Sequence, residues 1–302
     1  MVSIPYHIPV LLEPAINALD IKPDGIYIDA TFGGGGHSAA IISMLGENGK
    51  LFGFDQDLDS FRNNIDDDRF IFVRSNFRYI INFMRFFNID SIDGIIADLG
   101  VSSHHFDEAS RGFSFRDNGP LDMRMNQKGT YTAASFLNNA SEEQIRQTLS
   151  LYGEVDKAHL IAKKIVEVRK NKDLTETKDL QEILLPLINP KHEKKELAKI
   201  FQALRIEIND EMGALKELIT SSTKILKPGG RLVIISYHSL EDRLVKNFFK
   251  TGNFEGVRTQ DSFGNSYSPF KALTSKPIAP DETEISMNPR ARSAKMRVGI
   301  KI

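Results

Sequence analysis

The residues most able to do chemistry stand at the ends of short apolar runs. Asp29-Ala-Thr-Phe-Gly33-Gly34-Gly35-Gly36-His37-Ser38 leaves one such run and enters a helical pattern, and glycines there let a ligand lie against bare backbone. Asp55 closes the next run, twenty residues beyond Gly35, which is the place for a carboxylate that grips ribose hydroxyls. A nucleoside cofactor follows. Asp98 closes a further run as Asp98-Leu-Gly-Val-Ser-Ser103, at the same expected sheet edge. It either accepts a proton from an amine, binds the cofactor, or caps the next element.

Two cofactor classes compete for the glycine loop. A dinucleotide needs three spaced glycines for its pyrophosphate, and Ser38 stands at the third position. Asp29 just before the loop would repel a pyrophosphate and suits the amine and sulfonium charges of S-adenosylmethionine. The methyl donor is the better match. The chain has no cysteine among its 302 residues, which removes thiolate nucleophiles, disulfides and Cys-ligated metals. Methylation of a pyrimidine at carbon-5 needs a covalent cysteine adduct, so a methyltransferase built from this chain should act on a heteroatom that already has a lone pair. An exocyclic amine qualifies if acceptors hold its protons while charge moves onto nitrogen.

The elements that position these residues follow a βαβ rhythm. Ile26 to Thr31, Lys50 to Asp55, Arg69 to Ser75 and Ile92 to Leu99 are apolar almost throughout, as strands buried on both faces are. His37 to Leu45 and Asp57 to Ile65 read as intervening helices. The rhythm stops at a loop-rich stretch, His105 to Asn139. Helices are then expected over Ser141 to Leu151, capped by Ser141 with Gln144, over Lys157 to Lys170, and from Lys195 through Ile208 with a partner running to Leu226. Lys227-Pro-Gly-Gly230 marks a turn before an apolar strand, Arg231 to Ser236. A helix over Leu240 to Lys250 and two candidate edge strands, Phe254 to Thr259 and Ala294 to Lys301, complete the pattern.

Eight blocks, in order, resemble the RsmH (MraW) family of bacterial methyltransferases: TFGGGGHS, DLGVSS, RGFSF, GPLDMRM, FQALRIEIN, LKPGGRL, YHSLEDR and NPRARSAKMR, spanning about Tyr6 to Arg297. The resemblance implies methylation of N4 of a decoding-centre cytosine in 16S rRNA, as naked RNA or within the small ribosomal subunit or a late assembly intermediate, and the absence of cysteine fits a reducing, cytoplasmic setting. It implies a Rossmann-like class I fold with a doubly wound, mostly parallel sheet and an inserted helical substrate-recognition domain. The expected division is 1–107 and 206–302 for the methyltransferase domain and 108–205 for the insertion. It implies S-adenosylmethionine at Gly35, Gly36 and His37, with Asp55 on the ribose, Phe77 beside the adenine, and Asp98 and His105 closing the site. Many members carry Gln where His105 stands.

Other residues have two readings. Tyr237 and His238 either line the target side, stacking on and bonding an extruded cytosine, or belong to a cap in which Ser239 pairs with Asp242. Arg243 follows them as a candidate substrate contact. Asp122 is either near the cytosine amine or an Arg partner, and Phe113 and Phe115 are either lid residues or a small core. Arg205, within an apolar stripe, needs an acidic or phosphate partner. Arg290 and Arg292 belong to an RNA-binding tail or a strand-edge cover. The formal net charge is only −1, yet Ile285 to Ile302 carries five cations and no anion. Lys157 to Arg205 carries twelve cations against seven anions, so each segment is +5 and the rest −11. An acidic body suits a cationic cofactor, and two basic segments suit RNA phosphates. A ribosome-assembly factor holding the methyl donor as a structural ligand, and a nicotinamide-dependent dehydrogenase, remain as alternatives.

Overall fold

The computed structural model describes residues 9–57, 59–100, 108–258 and 267–302. The chain forms two compact units, one comprising Met1–Gly100 with Met212–Ile302 and the other Val101–Glu211. Those limits stand beside the expected cuts at 107 and 205.

The first unit is a seven-stranded sheet in the order β3-β2-β1-β4-β5-β7-β6. Its strands are β1 (Ile26–Asp29), β2 (Lys50–Asp55), β3 (Phe70–Arg74), β4 (Ile92–Asp98), β5 (Leu226–Ser236), β6 (Phe270–Ala272) and β7 (Lys295–Lys301). The first five pair in parallel, and β7 runs antiparallel to both β5 and β6. This is the doubly wound, Rossmann-like arrangement expected. Neighbouring residues feed opposite cores: Ile28, Phe52, Ile95 and Ile234 pack in one cluster, while Tyr27, Leu51, Ile96 and Ile235 pack in the other. Period-two alternation with both faces buried explains why the strands read as unbroken apolar runs. The order reverses between β1 and β4, and the crevice at the carboxyl ends of such strands is where these sheets bind ligands.

Helices cover both faces: α1 (Leu12–Leu19) and α2 (Gly36–Met44) on one, α3 (Ile80–Phe86), α9 (Glu211–Ile225) and α10 (Ser239–Thr251) on the other. The second unit holds α4 (Ala133–Asn139), α5 (Glu142–Gly153), α6 (Ala158–Val168), α7 (Thr177–Leu184) and α8 (Glu193–Asn209) around a core that includes Phe113, Phe136, Ile161 and Phe201. Ser141 accepts from Gln144 N at 3.2 Å and Gln144 Oε1 accepts from Ser141 N at 2.8 Å, the expected capping box. Asp210, at φ 46°, separates α8 from α9.

Three expectations change. Phe254 to Arg258 form no strand, because Asn253 supplies the partners a neighbouring strand would: its Oδ1 accepts from Gly256 N (2.9 Å) and Val257 N (3.1 Å) and its amide donates to Val257 O (2.6 Å). Phe270–Ala272 pairs with β7 instead. The helix expected over Asp57 to Ile65 is a 3-10 turn, Asp59–Asn63, from which Asn63 donates to the glycine loop and Ser60 to Asp55. The Lys227–Gly230 turn lies inside β5, looped out where the register shifts between Ile92 and Gly94.

Candidate functional site

The glycine loop is fixed from three strand ends. Asp29, 2% exposed, accepts from Thr31 N (3.1 Å) and from Ser38 Oγ (2.7 Å). Its carboxylate therefore ties the loop to the first turn of α2. Burial raises its pKa against the opposing pull of His37, Ser38 and the Thr31 amide. Gly33 and Gly35 sit at φ 50° and 75°, the left-handed region that glycine enters without cost. At Gly36 a Cβ would lie 2.1 Å from Pro9 Cγ, so no side chain fits there. His37 is buried and its Nε2 is 3.1 Å from the Val10 carbonyl; a carbonyl only accepts, so that nitrogen carries the proton. With the ring so engaged, the backbone at Gly36 and His37 is what heads α2, where first-turn amides have no partner within the helix.

Asp55 ends β2. Its Oδ2 accepts from Gly33 N (2.9 Å) and Ser60 Oγ (2.6 Å), and its Oδ1 from Asp57 N (2.8 Å). Burial raises its pKa, against those three donors. Asn63 completes the cradle by donating to Gly33 O at 3.0 Å. Ser60 and Asn63 were missed by the sequence reading. Their only signal is two hydrogen-bonding side chains shortly after a strand-end carboxylate, a pattern shared by many turns. Phe77 opens a 3-10 turn after β3 and is half-buried against the sheet core.

Asp98 ends β4, with its N–H on Thr31 Oγ1 at 2.7 Å; Thr31 was also missed. Asp98 Oδ1 accepts from Gly100 N at 3.3 Å. Tyr237 follows β5, its ring beside the Asp98 carboxylate above Gly100. Burial and that negative charge push the phenol pKa far up, so the hydroxyl keeps its proton.

The expected Ser239 and Asp242 cap moves one residue toward the N-terminus. His238 is the N-cap of α10, with Glu241 N donating to Nδ1 at 3.4 Å, and Glu241 Oε2 accepts from Tyr237 N at 2.8 Å. His238 Nε2 lies 3.1 Å from Glu241 Oε1, out of line for a hydrogen bond. Asp242 is instead forked by Arg297 at 2.6 and 3.3 Å. Arg243, Arg290 and Arg292 are exposed, the first on α10 and the others in a 3-10 turn before β7. His105, Ser102 and Ser103 lie outside the described residues.

In the second unit the charged motif residues pair with one another. Asp122 is forked by Arg124 through Nε (2.6 Å) and Nη2 (2.5 Å). Burial opposes ionisation of Asp122, but Arg124 outweighs it and holds the carboxyl below its usual range. Arg205 meets Glu211 at 2.8 and 2.9 Å, the acidic partner its burial requires. Phe113 is core, and Phe115 packs against Phe201 with ring centroids 5.7 Å apart.

The edge of the first unit thus carries carboxylates, a backbone cradle and a neutral phenol. It fits a cationic nucleoside: among the described residues Asp55 Oδ1 accepts from Asp57 N alone, and negative charge favours a sulfonium as it opposes a pyrophosphate. Residues 5–302 match the MraW methylase family. A Bacteroides fragilis protein named ribosomal RNA small subunit methyltransferase H is 56% identical over 98% of this chain and 97% of its own length. One of the same name from Flavobacterium johnsoniae is 53% identical over 98% of each chain. A putative methyltransferase from Streptococcus mutans, solved with SAH, aligns over 98% of this chain and 100% of its own at 12% identity and a TM-score of 0.44. On this sequence similarity, the chain belongs to the MraW methylase family.

Proposed function

We propose that this protein methylates the N4 exocyclic amine of a decoding-centre cytosine in 16S rRNA, within the small subunit or a late assembly intermediate in the cytoplasm. S-adenosylmethionine is the methyl donor, supplying an electrophilic methyl on a sulfonium that leaves as a neutral thioether. Asp98 at the end of β4 carries the reading. A half-buried carboxylate at the sheet's switch point, in a chain with no cysteine, suits an amine that must shed a proton and cannot serve a covalent carbon-5 route. As the amine lone pair bonds the methyl carbon, Asp98 accepts a hydrogen bond from the N–H and stabilises the positive charge growing on nitrogen.

Gly35, Gly36 and His37 present the loop backbone to the donor, Asp55 accepts from its ribose, Phe77 lies beside its adenine, and His105 closes the site. Tyr237 and His238 line the target side of the site, Arg243, Arg290 and Arg292 serve the RNA, and the inserted unit, 108–205, recognises its fold. Among the described residues no helix is long and apolar enough to cross a membrane. Mass mapping of 16S rRNA from cells with and without the gene tests the proposal. It expects one cytosine to lose an N4-methyl group in the deletion, and an unchanged methylation map contradicts it.

A further inference from the structure

Tyr237 is more tightly placed than a stacking platform needs to be. Its backbone N–H is held by Glu241 Oε2 at 2.8 Å, and Glu241 is itself 2% exposed and locked in the capping box of α10. Its ring presses on Gly100 so closely that a Cβ there would lie 2.8 Å from Cε2 and 3.0 Å from Cζ. The same Cβ would lie 3.3 Å from Asp98 Oδ1, so the ring and the carboxylate share the space above one glycine. Asp98 is meanwhile anchored through its own N–H to Thr31 Oγ1 and through Oδ1 to Gly100 N.

We infer that Tyr237 is a positioning residue for Asp98, its hydroxyl donating to the carboxylate so that the remaining lone pairs face the amine. The inference rests on the proposed role of Asp98. A carboxylate has about four acceptor sites, and Gly100 N with the Tyr237 hydroxyl fills two and stops the group from rotating. The phenol is suited to this because burial beside an anion keeps it protonated: it is a fixed donor, never a base. It also replaces water at the carboxylate, where a preorganised donor needs no reorganisation as charge develops. Gly100 is part of the device, since any side chain would drive the ring away.

The test uses the full-length enzyme, labelled S-adenosylmethionine and small subunits from cells lacking the gene. Tyr237→Phe keeps the ring and removes the donor; kcat should fall by about 10- to 100-fold, the usual cost of a lost supporting hydrogen bond. KM for subunits, affinity for S-adenosylmethionine and the melting temperature should stay at wild-type values. Gly100→Ala, which displaces the ring and leaves the hydroxyl in the chain, should lower kcat likewise. In an Asp98→Asn background, Tyr237→Phe should remove no further activity, as expected of two groups acting as a unit. Wild-type kcat in Tyr237→Phe together with a raised KM in Tyr237→Leu would overturn the inference in favour of stacking on the base. Parallel losses of stability and of both kinetic constants would assign a structural role instead. Inactive Asp98→Ala with fully active Tyr237→Phe sinks this inference alone, whereas active Asp98→Ala sinks the function proposed for Asp98.

Discussion

The two units use similar residues to opposite ends. In the inserted unit, Asp122 and Glu211 each face a guanidinium through two contacts, and Arg111 donates to the Arg124 and Met125 carbonyls. These groups neutralise one another and fix loop shape. At the sheet edge, among the described residues, Asp29, Asp55 and Asp98 accept from amides and hydroxyls and not from a guanidinium. Charged motif residues are therefore read by their partners. A carboxylate forked by arginine is scaffold, and one held by neutral donors is poised to meet a cation.

The contrast can be broken at several points. Glu211→Ala leaves a largely buried guanidinium without this partner, and unfolding by denaturant should show a loss of about 3 kcal/mol. Replacing both Arg205 and Glu211 with apolar residues of similar size should restore most of it. A single variant as stable as the parent would mean the pair is not scaffold. Asp55→Ala removes the proposed ribose acceptor; calorimetry should find S-adenosylmethionine weaker by about 2 kcal/mol, roughly thirtyfold, with unchanged affinity contradicting the assignment. Because burial raises the pKa of Asp55, affinity should also fall as pH drops through that raised pKa, where protonation removes the acceptor. Ser60→Ala loosens the same carboxylate without removing it, and about 1 kcal/mol of binding should be lost. Smallest per residue are the proposed RNA contacts: Arg290→Ala with Arg292→Ala should flatten the logarithmic salt dependence of subunit binding by about 2. An unaltered slope would remove both arginines from the interface.

Much of the sheet was legible because each of its first four strands buries both faces, which leaves unbroken apolar runs between Gly, Asp and Asn. The strand expected at Phe254 failed for the opposite reason: the Asn253 side chain closed a local turn and Phe254 packed at a tilt against Phe248, ring centroids 4.8 Å apart. Short helices also escaped, among them Leu12–Leu19, and Thr177–Leu184, whose cap is Glu176 with Asp179 rather than the Ser or Thr pattern. The three strand-end aspartates stood out by position. Thr31, Ser60 and Asn63 did not, because each reaches from its own element to a backbone or carboxyl group on another. Likewise Glu241, which orders both Tyr237 and His238, was hidden one residue from the expected cap partner.

The most direct test of Asp98 as the amine's acceptor pairs wild type with Asp98→Ala at saturating S-adenosylmethionine. Labelled methyl is followed onto unmethylated small subunits, and the RNA is digested to nucleosides. The wild type should place label in N4-methylcytidine, and the variant should transfer at least about 100-fold more slowly, as loss of a positioned proton acceptor requires. Undiminished transfer by Asp98→Ala, or wild-type label in 5-methylcytidine, would contradict the account.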